Sequence, residues 1–422
     1  MIGRQGQNVV FLLCVPRSGS SMATVMLQNH SKVFASQEMW FLMSLYELRY
    51  RANQPPYGGS EILKQFYHGV LSDEMYEDAC RQFALQVYNS LLHSSGTQIV
   101  VDKSPRYYAV LEFLDRLFPQ SRRIWLIRNP LSILSSYKKV GSWPRGDMDI
   151  ADRLRSDKFD VKIADLTVGF MRYAQYFSKE NPYAYRLSYE QLAAHPEEEL
   201  RKVCQFIGVD YEEGQHKYGN PKNSTKADLF YSMGVGDPFL SSHVEPHTQS
   251  IDSWKEILDK KEAEAYCRIL GARSFRSLGY GDALEEVERW TGTRFEQEPD
   301  QQLLQQRTRQ FMEHTGFVWK PSYRIQHNEE ESVIDSSTSP ELITEVNGRR
   351  SMAANHTELQ QLKMAVRALE RRLEASHADR DKLREELRST KQKIARIKSM
   401  IPFGNRLSHL ASAYLKQGGR KS

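Results

Sequence analysis

The sequence has little cysteine and no long apolar run, and both absences exclude classes of protein. Only four cysteines occur among 422 residues, and no two of them form a CxxC pair, so neither a disulfide framework nor a zinc site is predicted. The apolar start NVVFLLCVP is far shorter than a membrane span and lacks a small-residue cleavage site. We therefore interpret it as a buried strand and expect a cytoplasmic protein without a bound metal.

Basic residues are not in general excess, and their surplus is confined to the carboxyl-terminal tail. The chain has a net charge of +5, but residues 351–422 hold 16 Lys and Arg against 7 Asp and Glu. The other 350 residues are therefore slightly acidic. This distribution does not favour a nucleic-acid-binding protein, because the positive charge belongs to one appended segment.

The first 210 residues alternate between apolar runs and segments with helical spacing. Residues 8–16 form an apolar run that ends at Pro16, and a helical pattern follows over 22–30. Strands are also predicted at 97–103, 121–130 and 183–192, and helices at 107–118 and 197–208. Strands that alternate with helices indicate an α/β fold, with a P-loop-like parallel sheet flanked by helices on both faces.

Composition divides the chain into four predicted regions. The α/β unit occupies residues 1–285, and a helical extension with a polar linker occupies 286–350. A coiled-coil helix is predicted at 351–402, and a basic tail at 403–422. The chain is longer than one compact domain usually is, in agreement with one large unit and an appendage.

The predicted coiled coil keeps one heptad register, and ten of its thirteen seam positions are aliphatic. We expect it to form a homodimer, although a single amphipathic helix folded onto the rest of the chain also fits the pattern. Residues 391–422 add eight Lys and Arg and no acid. Such a tail is typical of peripheral contact with an anionic membrane surface, or of a solvated end of the rod.

The segment CVPRSGSS (14–21) lies where the first predicted strand gives way to a helix. Backbone amides at a helix start bind phosphate, and Arg17 adds a guanidinium. The segment is not a Walker A loop, because it has no lysine, nor a cysteine-phosphatase loop, because the sixth residue after Cys14 is serine. An ordinary turn between strand and helix is the alternative. The amides and hydroxyls predicted to contact phosphate belong to Ser18, Gly19, Ser20 and Ser21.

A second predicted anion site lies in IRNPLSILSSYKK (127–139). Arg128 ends a strand, Pro130 begins a helix, and Ser136 follows Arg128 by eight residues, about two turns into that helix. A guanidinium and a hydroxyl so placed can bind a second anion, although a solvated strand end is the alternative. Together the two segments predict a site for a ligand with two separated phosphate groups.

Five segments, in order, resemble the sulfotransferases that use 3′-phosphoadenosine-5′-phosphosulfate (PAPS). PRSGSS resembles the 5′-phosphosulfate loop and RNPLSILSS the 3′-phosphate motif of that family. The other three segments are VDKSP (101–105), YEQLAAHPEEELRKVCQFIGV (189–209) and residues 250–280. The resemblance covers roughly residues 8–282 and is strongest to the branch that includes tyrosylprotein sulfotransferases and bacterial relatives.

The resemblance implies roles for further residues. Glu38 takes the position of the catalytic base, and Lys103 that of the lysine that neutralises charge on the leaving oxygen. Tyr189 and Ser253 fall where the family contacts the nucleotide. One departure weakens the assignment of the base, because that branch often has two adjacent acids where this chain has Gln37 and Glu38.

The sequence therefore predicts a PAPS-dependent sulfotransferase without a metal. Its acceptor hydroxyl is expected on a glycan, a lipid-linked saccharide or a small metabolite, because nothing in the sequence directs the chain to a secretory compartment. Two alternatives stay open. One is a nucleotide-dependent kinase of the P-loop superfamily, which the missing loop lysine disfavours. The other is a non-catalytic scaffold that assembles through the coiled coil.

Overall fold

A computed structural model describes residues 2–50, 59–141, 149–217, 245–320, 322–325, 387–390 and 392 of the chain. The chain divides into two units, Met1–Ser332 and Val333–Ser422. In the second unit the described residues, 387–390 and 392, are helical. The predicted polar linker and basic tail, and nearly all of the predicted coiled coil, lie outside the described residues and stay predictions.

The first unit is built on a five-stranded parallel sheet, which confirms the predicted fold class. The strand order is β2-β3-β1-β4-β5, and every neighbouring pair is parallel. The strands are β1 (Val9–Leu13), β2 (Val33–Glu38), β3 (Ile99–Lys103), β4 (Arg122–Ile127) and β5 (Ala184–Ser188).

Helices connect the strands and continue beyond β5. Between β1 and β3 lie α1 (Ser20–Gln28), α2 (Phe41–Tyr50), α3 (Ser60–Gln65) with a π-helical turn at Phe66–Val70, and α4 (Asp73–Ser95). Between β3 and β5 lie a 3₁₀ turn (Tyr107–Val110), α5 (Leu111–Leu117), α6 (Pro130–Lys139), α7 (Ile150–Arg155), α8 (Val161–Ala164), a π-helical turn (Asp165–Gly169) and α9 (Phe170–Tyr176). After β5 lie α10 (Tyr189–Ala194), α11 (Pro196–Ile207), α12 (Trp254–Ile257), α13 (Lys260–Ser277), α14 (Gly281–Thr291) and α15 (Gln301–Thr315).

The sheet separates two hydrophobic cores, because successive side chains of a strand point to opposite faces. Phe11 and Leu13 pack in the core that contains the apolar faces of α4 and α5. Val10 and Leu12 pack in the other, against α1 and α11. All five residues of β1 are buried, as expected for a central parallel strand covered on both faces.

Two elements differ from the sequence prediction. No strand is predicted at 33–38, yet this segment forms the edge strand β2. The predicted strand over 183–192 ends at Ser188, whose hydroxyl accepts a hydrogen bond from the Gln191 amide at 3.3 Å and so caps α10. The capping serine redirects the chain into a helix where side-chain pattern alone suggested a longer strand.

The helical extension predicted from residue 286 packs onto the core that contains Phe11 and Leu13. Phe311 and Trp319 are buried against Tyr108, and Phe317 stacks on Phe311. The Trp319 indole N–H donates to the Ala109 carbonyl at 3.1 Å. These contacts tie the segment before residue 326 to the α/β unit. Within the described residues, no helix combines the length and apolar character that a membrane crossing requires.

Candidate functional site

The candidate site lies where neighbouring strands end at the carboxyl edge of the sheet. β1, β3 and β4 are adjacent and end at Leu13, Lys103 and Ile127. Loops at this edge bind ligands in open α/β sheets, because chain reversals on opposite faces leave a crevice there. Both segments predicted to bind anions leave the sheet at this edge.

The turn between β1 and α1 has a strained backbone. Arg17 has a φ of 71°, in the left-handed region that residues other than glycine rarely adopt, and Gly19 has a φ of 90°. A Cβ atom on Gly19 would lie 2.3 Å from Cδ2 of Tyr189. Only glycine therefore fits between the turn and the tyrosine ring, and such strain is typical of functional loops.

Helix α1 begins directly after this turn and presents its amino-terminal end to the crevice. Its N-cap is Gly19, which offers no side chain to accept hydrogen bonds from the first-turn amides. Ser18 and Ser20 are buried beside it, whereas Ser21 is partly exposed. The positive end of the helix is thus available to an anion.

Cys14 lies at the start of the turn and is fully buried. Burial raises the pKa of its thiol to about 12, while the charge of Lys103 and a hydrogen bond with Ser20 act in the opposite direction. The side chain is therefore a thiol at neutral pH. This protonation state does not suit a cysteine nucleophile.

The second predicted anion segment touches the first. The Arg17 Nε atom donates to the Ser136 hydroxyl at 3.1 Å, and Arg128 Nη1 donates to the Arg17 carbonyl at 3.1 Å. Asn129 caps α6 by accepting a hydrogen bond from the Leu131 amide at 3.0 Å, and so fixes the helix that carries Ser136. The two turns therefore form one continuous surface at the sheet edge.

A strap at residues 250–253 joins this surface. Arg128 Nη2 donates to the Ser250 carbonyl at 2.7 Å, and the Ser253 hydroxyl donates to the same carbonyl at 3.2 Å. The Tyr189 and Ser250 hydroxyls are hydrogen bonded at 2.7 Å, and the Arg128 guanidinium lies 4.2 Å from the centre of the Tyr189 ring. Burial lowers the pKa of Arg128. Guanidinium groups in proteins nevertheless stay protonated near neutral pH.

Glu38 and Lys103 face each other on adjacent strands. They are partners in the β2–β3 register, next to an irregularity in the pairing between Ala35 and Glu38. Lys103 Nζ lies 3.1 Å from Glu38 Oε1; the lysine side chain is fully buried, whereas 36% of the glutamate side chain is exposed. A carboxylate reachable from solvent thus lies beside a buried ammonium.

The lysine is also close to the first turn. Lys103 pairs with Leu12 of β1 in the sheet register, and its charge acts on the Cys14 thiol. The structure therefore brings the predicted site residues into two adjoining groups. One comprises the contacts of Arg17, Arg128, Ser136, Tyr189 and Ser253, and the other is the Glu38–Lys103 pair.

Asp102, which precedes Lys103, supports β3 from the opposite face of the sheet. It is fully buried and accepts hydrogen bonds from Tyr88 at 2.7 Å, Tyr107 at 3.0 Å and Ser104 at 3.1 Å. Burial raises the pKa of Asp102 to about 6, although the three hydroxyl donors and Lys103 favour its charged form. The network fixes the end of the strand that carries Lys103.

Two residues next to the Glu38–Lys103 pair were not predicted from the sequence: Trp40 contacts Glu38, and Ser104 contacts Trp40. Trp40 donates its indole N–H to Glu38 Oε2 at 2.9 Å, and its backbone amide donates to the Ser104 hydroxyl at 3.2 Å. The only signal in the sequence is that Trp40 lies two residues after Glu38 and Ser104 directly after Lys103. Neither spacing predicts that the chain turns back at Trp40 to form these contacts.

Comparison with known proteins gives one family and several relatives. Residues 9–213 match the family model described as "Sulfotransferase family". The chain is similar to nodulation protein NoeE of Sinorhizobium fredii, with 25% identity over 290 residues that cover 66% of this chain and 67% of that protein. It is also similar to protein-tyrosine sulfotransferase 2 of Gallus gallus, with 23% identity over 205 residues, 48% of this chain and 52% of that one.

Among solved structures, the sulfotransferase domain from the curacin biosynthetic pathway is similar at 21% sequence identity, with a TM-score of 0.42. The match covers 65% of this chain and 98% of that domain. The chain thus spans about two thirds of NoeE and about half of the tyrosine sulfotransferase.

Proposed function

Because residues 9–213 match the model of the sulfotransferase family, we propose that this chain transfers a sulfuryl group from PAPS to an acceptor hydroxyl. The observation that supports the donor most directly is the contact between the two anion segments. Arg17 and Ser136 are 119 residues apart in sequence and share a hydrogen bond of 3.1 Å. A single ligand with two phosphate groups can therefore touch both segments.

The residues present fit such a donor. The uncapped start of α1 and the hydroxyls of Ser18, Ser20 and Ser21 suit the 5′-phosphosulfate, because amides and hydroxyls donate to anionic oxygens. Arg128 and Ser136 suit the 3′-phosphate. The hydrogen bonds that Arg128 makes go to carbonyl oxygens rather than to carboxylates, so its positive charge can be matched by a phosphate.

The Glu38–Lys103 pair fits the transfer step. Glu38 accepts the proton of the acceptor hydroxyl while that oxygen forms its bond to sulfur. The bond between sulfur and the bridging oxygen breaks, and Lys103 stabilises the negative charge left on the phosphate. Such group transfers have loose, in-line transition states, so that positioning and electrostatic stabilisation dominate the catalysis.

The class of acceptor belongs to the same proposal. We expect a hydroxyl of a glycan, a lipid-linked saccharide or a small metabolite, and a 36% exposed Glu38 side chain suits an acceptor that arrives from solvent. Homodimerisation through the predicted coiled coil, a cytoplasmic location and membrane contact by the basic tail remain proposals from the sequence.

A labelled-donor assay tests the function. The purified chain is incubated with ³⁵S-labelled PAPS or γ-³²P-labelled ATP, and with a panel of oligosaccharides, lipid-linked saccharides, phenols and tyrosyl peptides. We expect ³⁵S to move to an acceptor and no ³²P transfer. Transfer of ³²P would favour the kinase, whereas tight binding of 3′,5′-adenosine bisphosphate without any transfer would favour the scaffold.

A further inference from the structure

Both oxygens of the Glu38 carboxylate are held, and by different elements. Lys103 Nζ donates to Oε1 at 3.1 Å, and the Trp40 indole N–H donates to Oε2 at 2.9 Å. Two donors on two oxygens define the plane of a carboxylate, whereas one donor leaves it free to rotate. Building on the proposed function, in which Glu38 is the base, we propose that Trp40 is a positioning residue for the Glu38 carboxylate.

The backbone of Trp40 is strained and held in place. Its φ is 59°, in the left-handed region that is unfavourable for a bulky residue. Its carbonyl accepts hydrogen bonds from the Met43 and Ser44 amides at 3.0 and 3.3 Å, which starts helix α2. Its amide donates to the Ser104 hydroxyl. The strained conformation directs the indole back toward Glu38.

The support for Trp40 comes from the strand that carries Lys103. Ser104, which accepts the Trp40 amide hydrogen, donates in turn to the buried Asp102 carboxylate at 3.1 Å. Both donors to Glu38 are therefore anchored at the end of β3, Lys103 directly and Trp40 through Ser104. Such an arrangement places the carboxylate relative to the lysine independently of small movements of the edge strand β2.

The Trp40 indole also lies beside Arg106, which is paired with the buried carboxylate of Asp165. The Arg106 guanidinium lies 5.9 Å from the centre of the Trp40 ring and is held by Asp165 through hydrogen bonds of 2.8–3.1 Å. Tyr108 and Tyr137 donate to the same carboxylate at 2.7 and 2.9 Å. The position of Trp40 is thus defined by Arg106 at the face of the ring and by Ser104 at the backbone amide.

The test is Trp40→Phe, which keeps an aromatic ring against Arg106 but removes the donor to Glu38. Turnover is measured as ³⁵S transfer from PAPS, with water as the acceptor if no organic acceptor is used by the wild type. We expect kcat to fall about tenfold or more, because small displacements of a reacting group have large effects on rate. The KM for PAPS and the affinity for 3′,5′-adenosine bisphosphate are expected to stay within about twofold.

Trp319→Phe is the matched control. It also removes one indole hydrogen bond from a buried tryptophan, but the acceptor is the Ala109 carbonyl in the core. This variant is expected to lose thermal stability while its kcat stays within about twofold of wild type. Ser104→Ala, which removes the acceptor of the Trp40 amide hydrogen, is expected to lower kcat in the same direction as Trp40→Phe and serves if that variant does not fold.

The outcomes separate the inference from the function on which it rests. A wild type that transfers no sulfate in any arm would overturn the proposed function, and the inference with it. An active wild type with an unchanged kcat in Trp40→Phe would overturn the inference alone. So would a variant that loses nucleotide affinity together with kcat, or a Trp319→Phe variant that loses as much kcat as Trp40→Phe.

Discussion

The donor end and the transfer end of the site are held together in different ways. At the donor end, Arg17, Arg128 and Ser136 make contacts between segments more than 100 residues apart, and both Nη atoms of Arg128 donate to backbone carbonyl oxygens. At the transfer end, Glu38 and Lys103 lie on adjacent strands and their opposite charges meet directly.

This difference matches what each end must bind. A guanidinium that donates to neutral carbonyl oxygens, as that of Arg128 does, keeps positive charge available for a phosphate group. The transfer end instead keeps a base and a cation side by side, so that its charge is balanced before any ligand binds. We therefore expect changes at the donor end to affect nucleotide affinity, and changes at the transfer end to affect turnover.

The largest effect is expected for the base. Glu38→Ala should lower turnover of PAPS by about 10²–10⁴-fold, the usual contribution of a general base. Affinity for 3′,5′-adenosine bisphosphate, measured by calorimetry, should stay nearly unchanged. Glu38→Gln is the control, because its amide oxygen can still accept from Lys103 while it cannot take a proton. If either variant retains wild-type turnover, another group is the base.

The second prediction concerns the buried carboxylate beneath the transfer end. Because burial raises the pKa of Asp102 to about 6, the folded state binds its proton more tightly than the unfolded chain does. The stability gained from protonated Asp102 is present at low pH and is lost as pH rises through about 6.

Comparison with Asp102→Asn isolates this contribution, since asparagine does not titrate. The wild-type free energy of unfolding, minus that of the variant, should decrease by up to about 3 kcal/mol between pH 4 and pH 7. Urea denaturation at several pH values provides the measurement. A difference that stays flat over this range would show that Asp102 does not titrate there.

At the donor end, Arg128→Ala should weaken binding of 3′,5′-adenosine bisphosphate by about 30–100-fold, as charge-assisted hydrogen bonds to a phosphate are lost. Turnover at saturating PAPS should change much less. Arg122→Ala is the matched control, because Arg122 also donates to a backbone carbonyl, that of Gln7, but lies at the opposite end of β4. Equal losses of affinity in both variants would contradict a phosphate contact by Arg128.

The sequence predicted the donor end better than the transfer end, for a physical reason. A buried strand followed by a tight turn and a helix is a local pattern, so both anion segments can be recognised from the sequence alone. Glu38 could be assigned only by resemblance, because the short edge strand β2 was not predicted. The contacts of Trp40 depend on a left-handed residue and on Ser104, 64 positions away, and side-chain periodicity reports neither.

The smallest effect is expected where the donor end meets the strap. Tyr189→Phe removes the hydroxyl that is hydrogen bonded to Ser250 at 2.7 Å, while the ring keeps its place between Gly19 and Arg128. Loss of one such hydrogen bond corresponds to about 1 kcal/mol, so affinity for 3′,5′-adenosine bisphosphate should fall roughly fivefold. Turnover at saturating PAPS should stay close to wild type, since the transfer end is untouched.

Tyr266→Phe, which removes a buried hydroxyl hydrogen bond to the Leu166 carbonyl, should lower stability without this loss of affinity. If Tyr189→Phe instead lowers turnover and spares affinity, the two ends are not separable in the way their contacts suggest.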